Sequence, residues 1–529
     1  MRRWNGWGDD EIIYPLPDNA ISVLESWVGS AAPPKDISLQ DALRHVPDSR
    51  LPHHQLVSKD PELRLRHARG QSFPDWVVMR SGRIPACPDG VSFPQSDSQV
   101  RDLIQFCVDI GACLIPYGGG TSVVGHVNPL PGNAPILTVD ISRMNQMRNF
   151  SKTNHLATFD AGVCGPDLEA QLRARGFTLG HFPQSFEYST LGGWVATRSS
   201  GQQSLGFGRF EDLFSGGTLE SPNGSLVMPT FPASAAGPDL REIILGSEGR
   251  LGILTVVTVR VTPLPEREDF HAVFFPTWED GLIAVRKIIQ ARLPLSMLRY
   301  STSTETATTL ALAGHERLIG TLERLLSIRG AGAQKCMLLI GLSGDDALVK
   351  LTRKETLNIA HEHDGVHVGR TFGSQWHKNR FRTPYLRNTL WDLGYGVDTL
   401  ETAIQWGRVS SMVDSIEAAL KDTMAEMGEN VHVFTHLSHL YATGCSVYTT
   451  FLFRLVRDPD ENIERWISLK KAASRAVVSQ GGTISHQHGV GTDHKEYLDA
   501  EKGDLGIDAI QRLCESFDPQ GIMNPGKLV

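Results

Sequence analysis

Apolar positions recur at two spacings along this chain, and the changes of spacing mark out its elements. Val100, Leu103, Ile104, Cys107 and Val108 stand at i, i+3, i+4, i+7 and i+8, one face of a 3.6-residue period, which predicts a helix. Ser96 and Gln99 at its start have the spacing of a capping box. Short apolar runs at 112–116, 136–140 and 155–163 predict strands, and 168–175 predicts a helix closed by Gly176. The stretch 253–261 is β-branched and alternating and is stopped by Pro263. Amphipathic helices are expected near 279–292 and 305–328, strands at 335–343 and 448–456, and a helix at 461–479. The first seventy residues are polar and Pro-rich with one apolar pattern, at 20–24, and read as a mainly helical and irregular wrapper. Strands alternating with helices and glycine-rich turns argue α/β or α+β.

Composition narrows the partners. A chain of 529 residues allows roughly three domains. A net charge of −8 leaves no basic footprint for nucleic acid. The seven cysteines are odd in number and form no CxxC pair, so neither a disulfide framework nor a zinc site is expected, and a reducing compartment fits. The N-terminus lacks a signal peptide's apolar run, and no stretch approaches the ~20 apolar residues of a spanning helix. The sequence is silent on a peripheral membrane contact.

The most informative local feature is Pro116-Tyr117-Gly118-Gly119-Gly120-Thr121-Ser122. Three glycines let the backbone approach a ligand without Cβ obstruction, and successive N–H groups can form an anion nest with two hydroxyls beside it. That suits a pyrophosphate, although an isolated triple glycine is more often a turn. Two further stretches change the balance: 183–201, with its Gly192-Gly193-Trp194, and 245–253, reading Leu-Gly-Ser-Glu-Gly-Arg-Leu-Gly-Ile. Three such loops between apolar runs can line one elongated ligand with a polar middle, such as FAD.

These loops resemble the FAD-binding signature of the PCMH/vanillyl-alcohol-oxidase superfamily, and nearly the whole chain resembles the alkyldihydroxyacetonephosphate synthases. The narrower resemblance rests on Arg3-Trp4-Asn5-Gly6-Trp7-Gly8, on 192–198, on Gly208-Arg209-Phe210-Glu211-Asp212-Leu213 and on Ser485-His486-Gln487-His488-Gly489-Val490-Gly491. It implies an α+β fold: a PCMH-type, two-subdomain FAD-binding domain at 76–266, a wrapper at 1–75, an α/β cap or substrate domain at 267–440, and a C-terminal segment, 441–529, completing the site. It implies a non-covalent FAD held by Pro116 to Ser122, by Gln184, Ser185, Ser189 and Thr190, by Thr197, Arg198, Ser199 and Ser200, and by Glu248, Gly249, Leu251, Gly252, Ile253 and Leu254.

For chemistry the resemblance implies Tyr448 as acid/base, Arg387 and Arg299 as arginines important for substrate and activity, and His486 and His488 as members of a His-rich motif. An ordinary tyrosine is a poor base at neutral pH, so nearby arginines and the flavin would have to lower its pKa. The implied reaction exchanges the acyl chain of acyl-dihydroxyacetone phosphate for a fatty alcohol through a flavin N5 adduct, in ether-lipid synthesis. A dimer is likewise only implied. Gln487, Gln184 and the Thr435–Tyr441 stretch depart from the animal synthases, and the C-terminal tail resembles FAD-linked 2-hydroxy-acid dehydrogenases. An FAD-linked D-2-hydroxy-acid dehydrogenase or oxidase is therefore the alternative. Relatives of that kind hold a metal, but here His432, His436 and His439 lack the Gly-Asp-Gly-Asn element, and no metal is expected. The tail is not a peroxisomal address, and a cytoplasmic protein is expected.

Overall fold

The computed structural model describes residues 1–313 and 316–529. Two small sheets share one core. In the first, strands run in the order Val57–Ser58, Gly90–Ser92, Ile136–Asp140, Cys113–Tyr117, the last three mutually parallel. Parallel neighbours need a crossover, and helix Asp97–Ile110 supplies it, burying Val100, Leu103, Ile104 and Cys107. Each fully buried aliphatic side chain there stabilises by roughly 1.5–3 kcal/mol. The expected capping box is half formed. Ser96 Oγ accepts from Gln99 N at 3.3 Å, but the Gln99 side chain accepts from Gln95 N at 2.8 Å, one residue outside the cap.

The second sheet is antiparallel, in the order Met147–Ser151, Leu156–Asp160, Ile253–Arg260, Phe214–Ser221, Gly224–Met228. Strand 155–163 of the sequence reading stops at Asp160, whose carboxylate accepts from Gln146 N and turns the chain.

The third sheet is larger and antiparallel: Val366–His367, Arg267–Phe275, Cys336–Gly344, Met297–Ser301, Val431–Leu440, Gly444–Arg454, Tyr395–Gln405. Helices Trp278–Gln290, Val409–Glu426 and Pro459–Ser479 bury apolar faces in its core. The paired strands Val431–Leu440 and Gly444–Arg454 lie on either side of the 440/441 boundary drawn from the sequence. In place of one helix at 305–328 there are two, Ser303–Ala311 and Glu316–Ile328. Residues 314 and 315, inside that expected helix, lie outside the described residues. Helix Ala20–Val28 packs Leu24 and Val28 against Leu390, Tyr395 and Leu452, so the N-terminal segment closes one side of the large sheet. Among the described residues no helix is long and apolar enough to cross a membrane.

Candidate functional site

A cavity of about 1560 Å³ runs from the glycine loops of the small sheets to the inner face of the large one. At the glycine end, strand Cys113–Tyr117 delivers the loop Gly118–Ser122, with Gly120 at φ 63°. A Cβ on Gly119 would overlap the Tyr188 carbonyl, and one on Gly118 would overlap Thr190 Oγ1. The missing side chains are what let the first two loops meet. Gly249, at φ 77°, brings the third loop against the Pro116 ring, where a Cβ would lie 2.9 Å from Pro116 Cγ. Thr190 Oγ1 is buried at this wall without a partner, which leaves a donor and acceptor for a polar ligand.

The first loop lines the cavity throughout, as do Gln184, Ser185, Ser189 and Thr190, Thr197, Ser199 and Ser200, and Glu248, Gly249, Gly252, Ile253 and Leu254. Two expected contacts do not reach it. Arg198 turns away to Glu242 and the Leu245 carbonyl, and Leu251 is buried in the core of the small sheets. The Glu248 carboxylate is engaged elsewhere as well. It accepts from Val490 N at 2.6 Å and Gly491 N at 2.8 Å and faces His126 Nε2 at 3.1 Å, tying the His-rich segment to the glycine loops.

At the other end the large sheet sets out a polar cluster. Tyr448 pairs in register with Glu401 on one side and His436 on the other. Its ring stacks on His436, centroids 4.9 Å apart, and meets His488 edge-on at 5.9 Å. Its hydroxyl donates to Thr399 Oγ1 at 3.1 Å. Among the protein's own groups, the flavin's contribution aside, burial pushes Tyr448 up to about 12, with Glu401 and Asp398 adding to the rise and Thr399 and Arg299 opposing it. Arg299 donates to Glu305 Oε1 at 2.5 Å, and the other Glu305 oxygen lies 3.0 Å from His436 Nδ1. An ionised carboxylate only accepts, so His436 Nδ1 carries the hydrogen and Nε2 keeps its lone pair. Burial alone would raise Glu305, but His436 and Arg299 outweigh it and hold the carboxyl at about 2.

Arg387 stands on helix Thr383–Asp392, with its guanidinium 4.4 Å over the Trp76 ring and Nη1 donating to the Gln71 carbonyl at 2.7 Å. It forms no ion pair among the described residues, and burial lowers its pKa. The Asp398 and Asp75 carboxylates act on it only from a distance, so a cavity-lining guanidinium with no direct ion pair is a site for an anion.

The two histidines separate. His488 lines the cavity, and burial keeps it neutral by lowering its pKa. His486 does not line it. Its Nε2 accepts from Arg209 Nη1 at 2.5 Å and Tyr441 Oη at 2.6 Å, which makes it a buried brace. His432 and His439 of the same strand have separate partners, Thr308 and Ser200.

Glu401, which is not among the residues expected from the sequence, anchors the His-rich segment. It is 3 % exposed and accepts from Ser485 Oγ and from the N–H groups of His486, Gln487 and His488, all at 2.7–3.0 Å. Burial would raise its pKa, but His488, His486 and the backbone donors hold it at about 2. A carboxylate on a strand 84 residues away leaves no local signal. Glu305 was equally hidden, while Trp7 and His436 stood in stretches picked out in the sequence without a role in the site.

A family profile described as "FAD linked oxidases, C-terminal domain" matches residues 264–528, half of the chain, and one described as "FAD binding domain" matches 88–228. The chain belongs to the FAD-linked oxidase family. Its cofactor is FAD, and the fold is the PCMH-type α+β fold with a cap. Among curated FAD-linked relatives it is 29% identical to an alkyldihydroxyacetonephosphate synthase of Dictyostelium discoideum, covering 100% of this chain and 93% of that protein. It is 27% identical to one from Trypanosoma brucei brucei, covering 100% and 92%. A solved alkyldihydroxyacetonephosphate synthase structure superposes with a TM-score of 0.85 at 25% identity, covering 99% of this chain and 98% of the other.

Proposed function

We propose that this chain exchanges the acyl chain of acyl-dihydroxyacetone phosphate for a fatty alcohol. The observation that carries the reading is Arg387, a half-buried guanidinium that lines the cavity with no ion-pair partner among the described residues, the Asp398 and Asp75 carboxylates lying further off. A phosphate suits the guanidinium. An apolar limb of the same cavity, walled by Leu24, Trp27, Leu312, Ile319, Leu322 and Phe372, suits alkyl chains. Bound FAD supplies an electron-accepting ring beside the reacting carbon.

The chain's own groups then divide the proton work. Tyr448 stays protonated at neutral pH and donates to the departing carboxylate oxygen. His488 and His436 Nε2, both neutral, are the acceptors for a proton leaving the substrate carbon or the alcohol hydroxyl. Glu305 holds the His436 tautomer by accepting from Nδ1, and Arg299 holds the Glu305 carboxylate in place. The exchange is redox-neutral: one C–O bond to an acyl group is replaced by one C–O bond to an alkyl group, and the alcohol's proton leaves with the fatty acid.

The test is anaerobic turnover of palmitoyl-dihydroxyacetone phosphate with hexadecanol and no electron acceptor. Alkyl product and free palmitate are expected. Bleaching of the flavin by a D-2-hydroxy acid, with no alkyl exchange, would replace this reading by the dehydrogenase one.

We further infer cytoplasmic placement with peripheral contact to a lipid surface, working as a homodimer. Exposed Ile13, Ile21, Leu325 and Ile328 stand on or beside the segments that wall the apolar limb, which supports the membrane contact. Vesicle co-sedimentation tests the membrane contact and light scattering the dimer; a monomer that stays in the supernatant refutes both.

A further inference from the structure

The N-terminal stretch Arg3-Trp4-Asn5-Gly6-Trp7-Gly8 has no part in the chemistry assigned so far, yet it is built into the cavity wall. Asn388, the residue after Arg387, holds the Trp7 backbone from both sides. Trp7 N donates to Asn388 Oδ1 at 3.2 Å, and Asn388 Nδ2 donates to Trp7 O at 2.9 Å. The flanking glycines are there for contact. A Cβ on Gly6 would lie 2.6 Å from Asn388 Oδ1, and one on Gly8, at φ 75°, would overlap the Tyr385 ring. Gln71 joins the same corner, accepting from Arg387 through its carbonyl and donating to the Gly6 carbonyl at 3.4 Å through its side chain. Trp7 is thereby fixed, its ring edge-on to Tyr188 at 5.7 Å and 5 % exposed.

Its indole Nε1 has no hydrogen-bond partner, and Trp7 lines the same cavity as Arg387. An indole N–H can only donate. A buried donor left unpaired is costly, so its occupant must bring an acceptor. The Arg387 guanidinium, which lines the same cavity and has no ion-pair partner among the described residues, makes that acceptor anionic.

We propose that Trp7 Nε1 is a ligand of the substrate's phosphate, donating to one of its oxygens beside Arg387. This rests on the acyl-dihydroxyacetone phosphate reading and deepens it. The N-terminal segment is then part of the headgroup site, and the two glycines exist to bring it there.

The experiment titrates dihydroxyacetone phosphate, and separately inorganic phosphate, into the FAD-loaded full chain by calorimetry. Trp7→Phe removes the N–H and keeps an aromatic ring. It should weaken both ligands about tenfold or more, the effect of losing one hydrogen bond to a charged group. FAD content, the flavin spectrum and the KM for fatty alcohol should be unchanged. Unaltered affinity for both phosphates overturns the proposal. So does a loss of FAD with phosphate binding intact, which would assign the N–H to the cofactor. Should Trp7→Phe fail to fold, the wild-type chain labelled with ¹⁵N at its ten tryptophan indoles decides. One indole N–H signal should move on saturation with dihydroxyacetone phosphate, and none moving overturns the assignment. Absent alkyl exchange with phosphate binding still sensitive to Trp7→Phe would refute the reaction and leave the site standing.

Discussion

Changing Glu401 to Gln alters one atom and one charge, and the structure gives the cost in two ways. One carboxylate oxygen accepts from Ser485 Oγ and the N–H groups of Gln487 and His488, and the other accepts from His486 N at 2.7 Å. The amide keeps an oxygen for the first three, but each falls from a charge-assisted to a neutral hydrogen bond, a loss of about 1 kcal/mol apiece. The amide nitrogen faces the His486 N–H, which is left buried and unpaired at a further 1–3 kcal/mol or so. Roughly 4–6 kcal/mol follows. The titration points the same way: the carboxyl is held at about 2, below its ordinary 4.5, so the folded state favours the carboxylate. Because the folded pKa is depressed, its contribution to stability is complete above about pH 4.5 and is lost as pH falls towards 2. The assay is chemical denaturation of the FAD-loaded protein, followed by flavin fluorescence, for wild type and Glu401→Gln between pH 7 and pH 3. The variant's midpoint should lie well below wild type at pH 7, and the gap should narrow below pH 4.5. Superimposable curves at pH 7 would refute the claim that Glu401 holds the 485–488 segment.

Tyr448→Phe should abolish exchange while leaving yellow, folded protein. In the wild type no tyrosine ionisation should appear in the rate between pH 6 and 10, since burial holds Tyr448 at about 12, and a Tyr448-dependent rise below pH 10 would contradict its role as donor. Arg387→Lys should weaken dihydroxyacetone phosphate binding by about 10–100-fold, because the ammonium loses the planar fork and the stacking on Trp76 that aim separate N–H groups at the Gln71 carbonyl and a phosphate; calorimetry decides, and wild-type affinity would move the anion elsewhere. Gly119→Ala should yield colourless protein, since the new methyl would overlap the Tyr188 carbonyl where two FAD loops meet; a normal ratio of 450 to 280 nm absorbance would refute that contact.

Much of the cofactor end was legible because its physics is local. A turn that must bring backbone close to a phosphate needs adjacent glycines, and Gly118–Gly120 are contiguous. Strand Ile136–Asp140 and the amphipathic helix Asp97–Ile110 were readable for the same reason: their periodicity is written within a few residues. The substrate end was less legible. His486 and His488 look equivalent in the sequence, and only the packing turns one into the cavity and the other onto Arg209 and Tyr441.

The sequence by itself determined that glycine loops between apolar runs could line one elongated ligand, because glycine spacing and strand patterning are properties of neighbouring residues, and its resemblance to a known superfamily implied FAD and the α+β cradle. Only the tertiary structure decided the charges and partners of the reacting groups. The protonated state of Tyr448 comes from burial in the large sheet, the shape of the His-rich segment comes from a carboxylate on strand Tyr395–Gln405, and the open side of Arg387 comes from what does not pack against it. Those quantities depend on desolvation and on groups brought together from remote parts of the chain, and no local pattern encodes them.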